Sequence, residues 1–580
     1  MGATVEVEGL TKSFGSQNIW RDVTLTLPPG EITALLGPSG TGKSVFLKTV
    51  MGLLNPEEGS VKIDGVDIVS ATDRETQELR KRFGVLFQDG ALFGSMSIYD
   101  NVAFPLHEHT DLSASEIKRK VGEKLELVGL TGTETKLPGE VSGGMRKRVG
   151  LARSLVLDPD IILCDEPDSG LDPVRTAYIA QLLVDVNTET DATILVVTHD
   201  TNLARTLPDN LGMLFRRELV MFGPREAMLT TDEPAVTQFI HGSPVGPIGM
   251  SEEKDATPHH LLGAMDHLKL GDVPPQIQPS EGMGERAGAV RHAERLRTTP
   301  DIEELVIRQP DKELERRPVT RPAAYSAPMR GLRQVGSLFA LALDVIVNIF
   351  RRPFQWRETL EQFWFIASVS ILPAALVAVP FGAVIALQLG TLTVQIGAQS
   401  FTGAASVLAV IQQASPIVTA LAIAGAGGAA ICADLGARTI REEIDAMKVL
   451  GVSPVQRLVV PRVLATMLVA VLLNGMVSVV GVIGGYVFNV LVQDGTPGAY
   501  LASFTALAQI EDLIVGEIKA VIFGFIAGVV AAYRGLNPSA GPKGVGDAVN
   551  QSVVITFLLL FFMNFVITTL YLQVIPAKGA

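Results

Sequence analysis

Two stretches of this 580-residue sequence carry residue types spaced for phosphate chemistry. The first is Gly37-Pro-Ser-Gly40-Thr-Gly42-Lys43-Ser44, directly after the apolar run Ile32–Leu36. In the spacing G-x-x-x-x-G-K-[ST], the glycines let backbone N–H groups wrap phosphates where a helix begins, and the helix dipole adds to the attraction. Gly37, Ser39, Gly40 and Gly42 are expected to form the cradle. Lys43 is expected to reach the β and γ phosphates of ATP, and the Ser44 hydroxyl to ligate Mg²⁺. The second stretch, Ile161 to Glu166, is an apolar strand ending in two carboxylates. Asp165 is placed to hold Mg²⁺ through its water shell, and Glu166 to act as the general base that polarises an attacking water. Cys164 beside them is expected to pack in the core.

The elements that must position these groups alternate as in an α/β domain over residues 1–245. Ile32–Leu36, Val85–Phe87, Ile161–Cys164 and Ile194–Val197 are short apolar runs that predict buried strands. Residues 246–330 carry ten prolines and many charges and predict a linker or a loosely packed extension, with a short helix at His259–Leu270. Composition divides the chain. Hydrophobic residues make up 47% and charged residues 19% of the whole, too apolar for a wholly soluble protein. Of 48 basic and 61 acidic residues, 13 and 12 lie in 331–580, which leaves 35 and 49, a net of −14, in 1–330. The acidic balance argues against nucleic acid as a ligand. Two cysteines exclude a disulfide scaffold. Residues 1–30 lack a basic start followed by an apolar core, so no signal peptide is expected, and Glu6 stands where a myristoylation motif needs Ser or Thr.

Residues 331–580 predict an all-α membrane domain. Gln362 to Ala433 is 72 residues without Asp, Glu, Lys or Arg, enough for two spans, near 363–390 and 404–431. Further spans are expected at 458–492, 513–533 and 551–575, five in all, after an amphipathic interfacial helix at Leu332–Arg352. The loops near 434–457 and 534–548 hold Arg438, Arg441, Lys448, Arg457, Arg534 and Lys543, whereas those near 391–403 and 493–510 hold no Lys or Arg. The positive-inside rule then puts the ATP-site domain in the cytoplasm and the C-terminus outside. Glu517 and Lys519 stand apart near the start of the fourth span, at the outer interface or paired with each other.

Val141-Ser142-Gly143-Gly144-Met145 before a basic run resembles the signature of the ABC ATPase family. The resemblance covers 1–245, with the other motifs in order. It implies that Phe14 stacks on adenine, that Gln88 senses the γ-phosphate and joins Ser44 and Asp165 at the Mg²⁺, that Asp172 belongs to the D-loop, and that His199 is the switch histidine. It also implies a composite site in which Ser142, Gly143 and Gly144 meet the ATP of another copy, so a dimer, homomeric or with a related half. Val141 and Met145 depart from the usual Leu and Gln; Met also occurs in the Mla branch.

The stretch Ala422 to Pro454 resembles the MlaE/YrbE permeases of Mla and MCE lipid transporters, as do Tyr533–Asn537 and Gly544–Ala548. Ala426 departs, since many members carry Arg there. The pattern predicts a cytosolic helix over 434–450, with Arg441, Glu442, Glu443 and Asp445 gripped by the ATPase. The two resemblances together look like an MlaF/Mkl-like ATPase fused to an MlaE/YrbE-like permease in a bacterial inner membrane. They imply ATP-driven movement of phospholipid, fatty acid or sterol between that membrane and MCE-domain proteins. A half-size ABC exporter of other apolar compounds, or force transmission without transport, are the competing readings.

Overall fold

The computed structural model describes all residues except 1, 16, 250–272, 300, 309–326, 353, 399–400, 494, 505–508, 540 and 575–580. The helix expected at His259–Leu270 lies outside the described residues. The chain forms two compact units: Met1–Tyr325 with Arg441–Val452, and Ser326–Ile440 with Ser453–Ala580.

The first unit is built on two sheets. Seven strands run in the order Ile307–Arg308, Glu218–Pro224, Asn210–Phe215, Ile32–Leu36, Thr193–Val197, Ile161–Asp165, Phe83–Leu86. The five from Asn210–Phe215 to Phe83–Leu86 are parallel, and every residue of Ile32–Leu36, Thr193–Val197 and Ile161–Asp165 is buried. Burial on both faces is why these strands are continuous apolar runs rather than alternating ones. Leu35 and Asp165 both register with Val197. The loops leaving three neighbouring strands therefore start level, at the carboxyl edge where open α/β sheets bind ligands. A second, antiparallel sheet pairs Val5–Phe14 with Gln17–Leu27 and Glu58–Ile63.

Residues 273–308 pack on this unit. Arg286 is buried, with Nη2 donating to Asp209 Oδ2 at 2.5 Å and Nε to Asn187 Oδ1 at 2.8 Å. Ile307–Arg308 adds an edge strand to the large sheet. His292, on the helix Ala287–Thr298, lies between Glu31 at 3.3 Å and Glu226 at 3.4 Å. Burial alone would lower its pKa, but hydrogen bonds to Glu226 and Glu31 outweigh it and raise it to about 9. Burial opposes, and the His292 hydrogen bond drives, a fall in the Glu226 pKa to about 2. His292 therefore contributes stability that is complete below 6.5 and lost as pH rises through about 9. Glu226 contributes stability that is complete above 4.5 and lost towards about 2. Hydrogen exchange of residues 287–298 is expected to be slowest, after correction for intrinsic rates, between pH 4.5 and 6.5, and to rise from there to about pH 9, where the loss levels off. In His292→Leu that alkaline rise should vanish; an unchanged profile would refute the assignment.

The second unit is helical. Among the described residues, six helices are long and apolar enough to cross a membrane: Gly331–Ile349, Trp356–Gln395, Thr402–Ile440, Val455–Val492, Ile510–Leu536 and Gly541–Tyr571. The last five overlay the five predicted spans; the first, predicted as interfacial, meets the same criterion of length and composition. Small residues allow close helix approach. A Cβ on Gly382 would lie 2.1 Å from the Gly481 carbonyl oxygen, so the 356–395 and 455–492 helices touch through backbone.

Several buried charged side chains in this unit are paired or bonded. Arg462 is fully buried, with Nη2 donating to Asp434 at 2.6 Å and Nη1 3.3 Å from Glu358, while Arg438 reaches Asp434 at 3.2 Å. Glu517 and Lys519 do not pair with each other. Two apart on a helix, they face different neighbours: Glu517 accepts from Asn474 at 3.1 Å, and buried Lys519 donates to the Gln412 carbonyl at 3.0 Å and Thr568 at 2.8 Å.

The continuous helix expected over 434–450 is corrected. The chain is helical to Ile440, breaks at Arg441–Glu442, and resumes as Glu443–Val449. Glu442 has φ 60°, a left-handed conformation that costs a residue with a Cβ roughly 1–2 kcal/mol. Two ion pairs to Lys48, within the first unit, offset it: Glu442 at 3.0 Å and Asp445 at 2.9 Å.

Candidate ATP site

The glycine-rich loop joins the buried strand Ile32–Leu36 to the helix Lys43–Val50. Gly37, Gly40 and Gly42 have φ of 154°, 93° and 85°, which side chains with a Cβ rarely adopt. A Cβ on Gly42 would lie 2.2 Å from Ile19 Cγ2, and one on Gly37 2.4 Å from the Leu214 carbonyl oxygen. Both glycines are required by space as well as conformation. Ser39 and Gly40 are exposed at the loop tip. Lys43 is buried and donates to the carbonyls of Gly37 at 2.7 Å and Pro38 at 2.8 Å, so its ammonium spans the mouth of the loop.

Ser44 Oγ donates to Asp165 Oδ1 at 3.0 Å, which puts two oxygen ligands together across 121 residues. A compact pair of oxygen donors beside a phosphate cradle fits Mg²⁺, which takes few protein ligands and completes its shell with phosphate and water. Burial pushes the Asp165 pKa up to about 6; nearby Glu442 and Glu166 add to this, and Ser44 and Lys48 oppose it. A bound dication would supply the positive charge this carboxylate lacks.

The predicted base sits among its predicted partners. Glu166 Oε2 accepts from Gln88 Nε2 at 3.1 Å, and its Oε1 lies 3.2 Å from His199 Nδ1. Glu166 has φ 45°, a strained backbone of the kind found where a side chain must be aimed. Phe14 ends its strand half-exposed, with Lys12 Nζ 5.4 Å from the ring centroid. An exposed aromatic ring is chemically suited to stacking on a base. Ser142 caps the helix Gly143–Leu155, its Oγ accepting from Met145 N at 3.3 Å, and Gly143 and Gly144 occupy the first turn, the end of a helix that favours negative charge. Asp172 caps the helix Pro173–Thr190 by accepting from Val174 and Arg175 at 3.1 and 3.0 Å. The charged residues of 441–452 divide. Glu442 and Asp445 hold Lys48 on the helix that starts at the phosphate loop, Glu443 is buried beside Arg441 at 3.4 Å, and Ala446 and Val449 join the core of this unit.

The family models decide what this site belongs to. One for ABC transporters matches residues 20–169, and one for the permease MlaE matches 359–570. The chain is 64% identical over 305 residues to a probable ribonucleotide transport ATP-binding protein, mkl, of Mycobacterium tuberculosis, covering 51% of this chain and 85% of that protein.

The chain belongs to the ABC transporter family.

Its ATPase half is also similar to the intermembrane phospholipid transport system ATP-binding protein MlaF: 41% identical over 244 residues to that of Haemophilus influenzae and 38% to that of Escherichia coli, covering 42% of this chain and 92% and 91% of those proteins. This ABC transporter therefore carries ATPase and MlaE permease in one multi-pass membrane chain, and it binds and hydrolyses ATP. Sequence reasoning overlooked three of its residues. Lys48 and Arg462 carry no local motif, and their partners lie hundreds and tens of residues away. Lys147, one turn into the signature helix, belongs to a basic run that only marked the motif, whose Ser142, Gly143 and Gly144 were the residues singled out.

Proposed function

We propose that this ABC transporter moves lipids between the inner membrane and an MCE-type partner, working as a dimer whose ATP sites are each completed by the signature residues Ser142, Gly143 and Gly144 of the other half. The observation that carries this reading is the MlaE match over 359–570 together with the charge pattern of the spans. A path for ribonucleotides, the cargo in the mkl protein's name, needs cations facing the phosphates, and charged cargo generally puts ionisable residues in the spans. Residues 363–431 and 463–493 contain no Asp, Glu, Lys or Arg, and the charges in the other spans are already engaged: Arg462 with Asp434, Glu517 with Asn474, and Lys519 with Gln412 and Thr568. An apolar cargo asks nothing more of them.

In this reading Gln88 and His199 orient Glu166 towards the attacking water, and Phe14 holds the base. Ser44 and Asp165, with Gln88, hold Mg²⁺, which shields the phosphate charge. Closure of the ATPase pair moves the 441–452 segment through Lys48, whose helix begins at the phosphate loop; burial opposes, and the two carboxylates outweigh it to raise, the Lys48 pKa, so the link stays charged. The ATPase faces the cytoplasm and the C-terminus lies outside.

The test is ATP-dependent transfer of labelled phospholipid, fatty acid and sterol from vesicles containing the purified protein to an MCE-domain acceptor, beside uptake of labelled ribonucleotide. Lipid transfer that needs ATP is expected. Ribonucleotide uptake would replace the lipid reading, and ATP turnover with neither movement would favour force transmission.

A further inference from the structure

Lys147 is a lysine buried among carbonyls. It lies on the helix Gly143–Leu155, five residues beyond the signature serine that caps it, and its side chain runs inward. Its Nζ donates to the carbonyl oxygens of Glu166 at 3.0 Å, Pro167 at 3.4 Å and Ser169 at 2.5 Å. An ammonium has three donors, and three carbonyls of one turn take them. The turn is also tied by Ser169 N to the Glu166 carbonyl at 3.1 Å, and Glu166 N to the Val197 carbonyl at 2.9 Å. Asp168 within it bonds Thr198 at 2.8 Å. At the far end of the turn, Leu171 packs under the signature: a Cβ on Gly144 would lie 3.1 Å from Leu171 Cδ2.

The turn needs such a brace. Its first residue, Glu166, holds φ 45°, and strain of this kind persists where surroundings over-determine it. Burial lowers the Lys147 pKa, and Asp168, Asp89, Glu166 and Asp165 pull it back up. Hydrogen bonds from a charged donor are the strong ones. A neutral apolar side chain of the same length would leave three carbonyls of the turn without these donors.

We propose that Lys147 is a positioning residue for ATP hydrolysis: by cross-bracing the 166–169 turn from the signature helix it fixes the Glu166 backbone, and so the aim of its carboxylate. This rests on the reading of Glu166 as general base. One helix then carries Ser142–Gly144 at its start and grips the hydrolytic turn of the same chain one turn later.

The experiment uses the full chain in nanodiscs, with kcat and KM for ATP and binding of the fluorescent analogue TNP-ATP measured on Lys147→Met, Lys147→Gln and Glu166→Gln, and on the double variant Lys147→Met with Glu166→Gln. Lys147→Met should lower kcat about 10- to 100-fold with TNP-ATP affinity within about twofold. Lys147→Gln, whose amide keeps two donors, should recover part of the loss. In the Glu166→Gln background Lys147→Met should lower the residual rate no further, the non-additivity of groups acting as one unit. Three results would overturn the proposal: kcat within about twofold of the parent in Lys147→Met, TNP-ATP affinity falling in step with kcat in both Lys147 variants, or multiplicative effects in the double variant. A silent Lys147→Met beside an inactive Glu166→Gln refutes Lys147 alone. Normal turnover in Glu166→Gln refutes the base itself.

Discussion

Glu166→Gln is expected to lower steady-state ATP turnover by about 10²–10⁴-fold while ATP still binds. The phosphate cradle, Lys43 and Ser44 lie on a different strand and loop from Glu166 and keep their geometry. Glutamine has nearly the same shape and still offers an oxygen to Gln88, which donates to the carboxylate at 3.1 Å. What it removes is the capacity to take a proton from water. General-base catalysis contributes about 10²–10⁴-fold, so kcat should fall by that factor with little change in nucleotide affinity. His199 Nδ1 lies 3.2 Å from Glu166 Oε1 in the parent and remains in place in the variant, so any residual rate that it supports is part of the measurement. ATPase rate and nucleotide binding on the same preparation decide the matter; a variant that hydrolyses at the parent rate would require a different base.

The second large effect is on stability. Arg462 is fully buried and joins Asp434 at 2.6 Å, Glu358 at 3.3 Å and the Leu458 carbonyl at 2.9 Å. Stranding a fully buried charge costs about 3–5 kcal/mol; the carboxylates here are 31% and 26% exposed, so a smaller loss is expected. Arg462→Met leaves Asp434 with Arg438 alone, at 3.2 Å, and Glu358 without this arginine. The expected result is a lower midpoint of thermal unfolding for the permease unit in detergent, read by a reporter on that half. Adding Asp434→Asn should recover part of the loss, because a neutral amide needs no counter-charge. Equal stability of the parent and Arg462→Met would mean that the cluster contributes nothing net to the fold. Thr466, one turn further on, bonds the Arg462 carbonyl at 2.6 Å, so the helix itself keeps its local hydrogen bonding in the variant.

Much of the ATP site is legible in the sequence, since each of its parts is a contiguous motif. A glycine-rich turn between an apolar strand and a helix, or two carboxylates at a strand end, is specified by neighbours in sequence. The parallel sheet then brings Ser44 to Asp165, and Gln88 and His199 to Glu166. The spans are legible for a similar reason, because hydropathy over about 20 residues is a local property. Contacts of high sequence separation are not. Lys48 meets Asp445 across 397 residues, and no pattern near either announces the other. The periodicity of 434–450 favours one unbroken helix, and it is the pull of Lys48 on both Glu442 and Asp445 that makes a left-handed break tolerable. Prolines and charges in 246–330 suggest a linker or extension, while Arg286 and His292 find buried carboxylates at Asp209, Glu31 and Glu226 that only the folded sheet brings within reach.

The sequence by itself thus determined which residues could hold a nucleotide and which segments could enter a membrane, because spacing along the chain sets local geometry and local solvation. The tertiary structure decided which charges neutralise one another, where the helix after Asp434 breaks, and that a lysine of the signature helix clamps the turn bearing Glu166. Those outcomes depend on low-dielectric burial and on partners brought together by the sheet and the helix bundle, neither of which is written in any one segment.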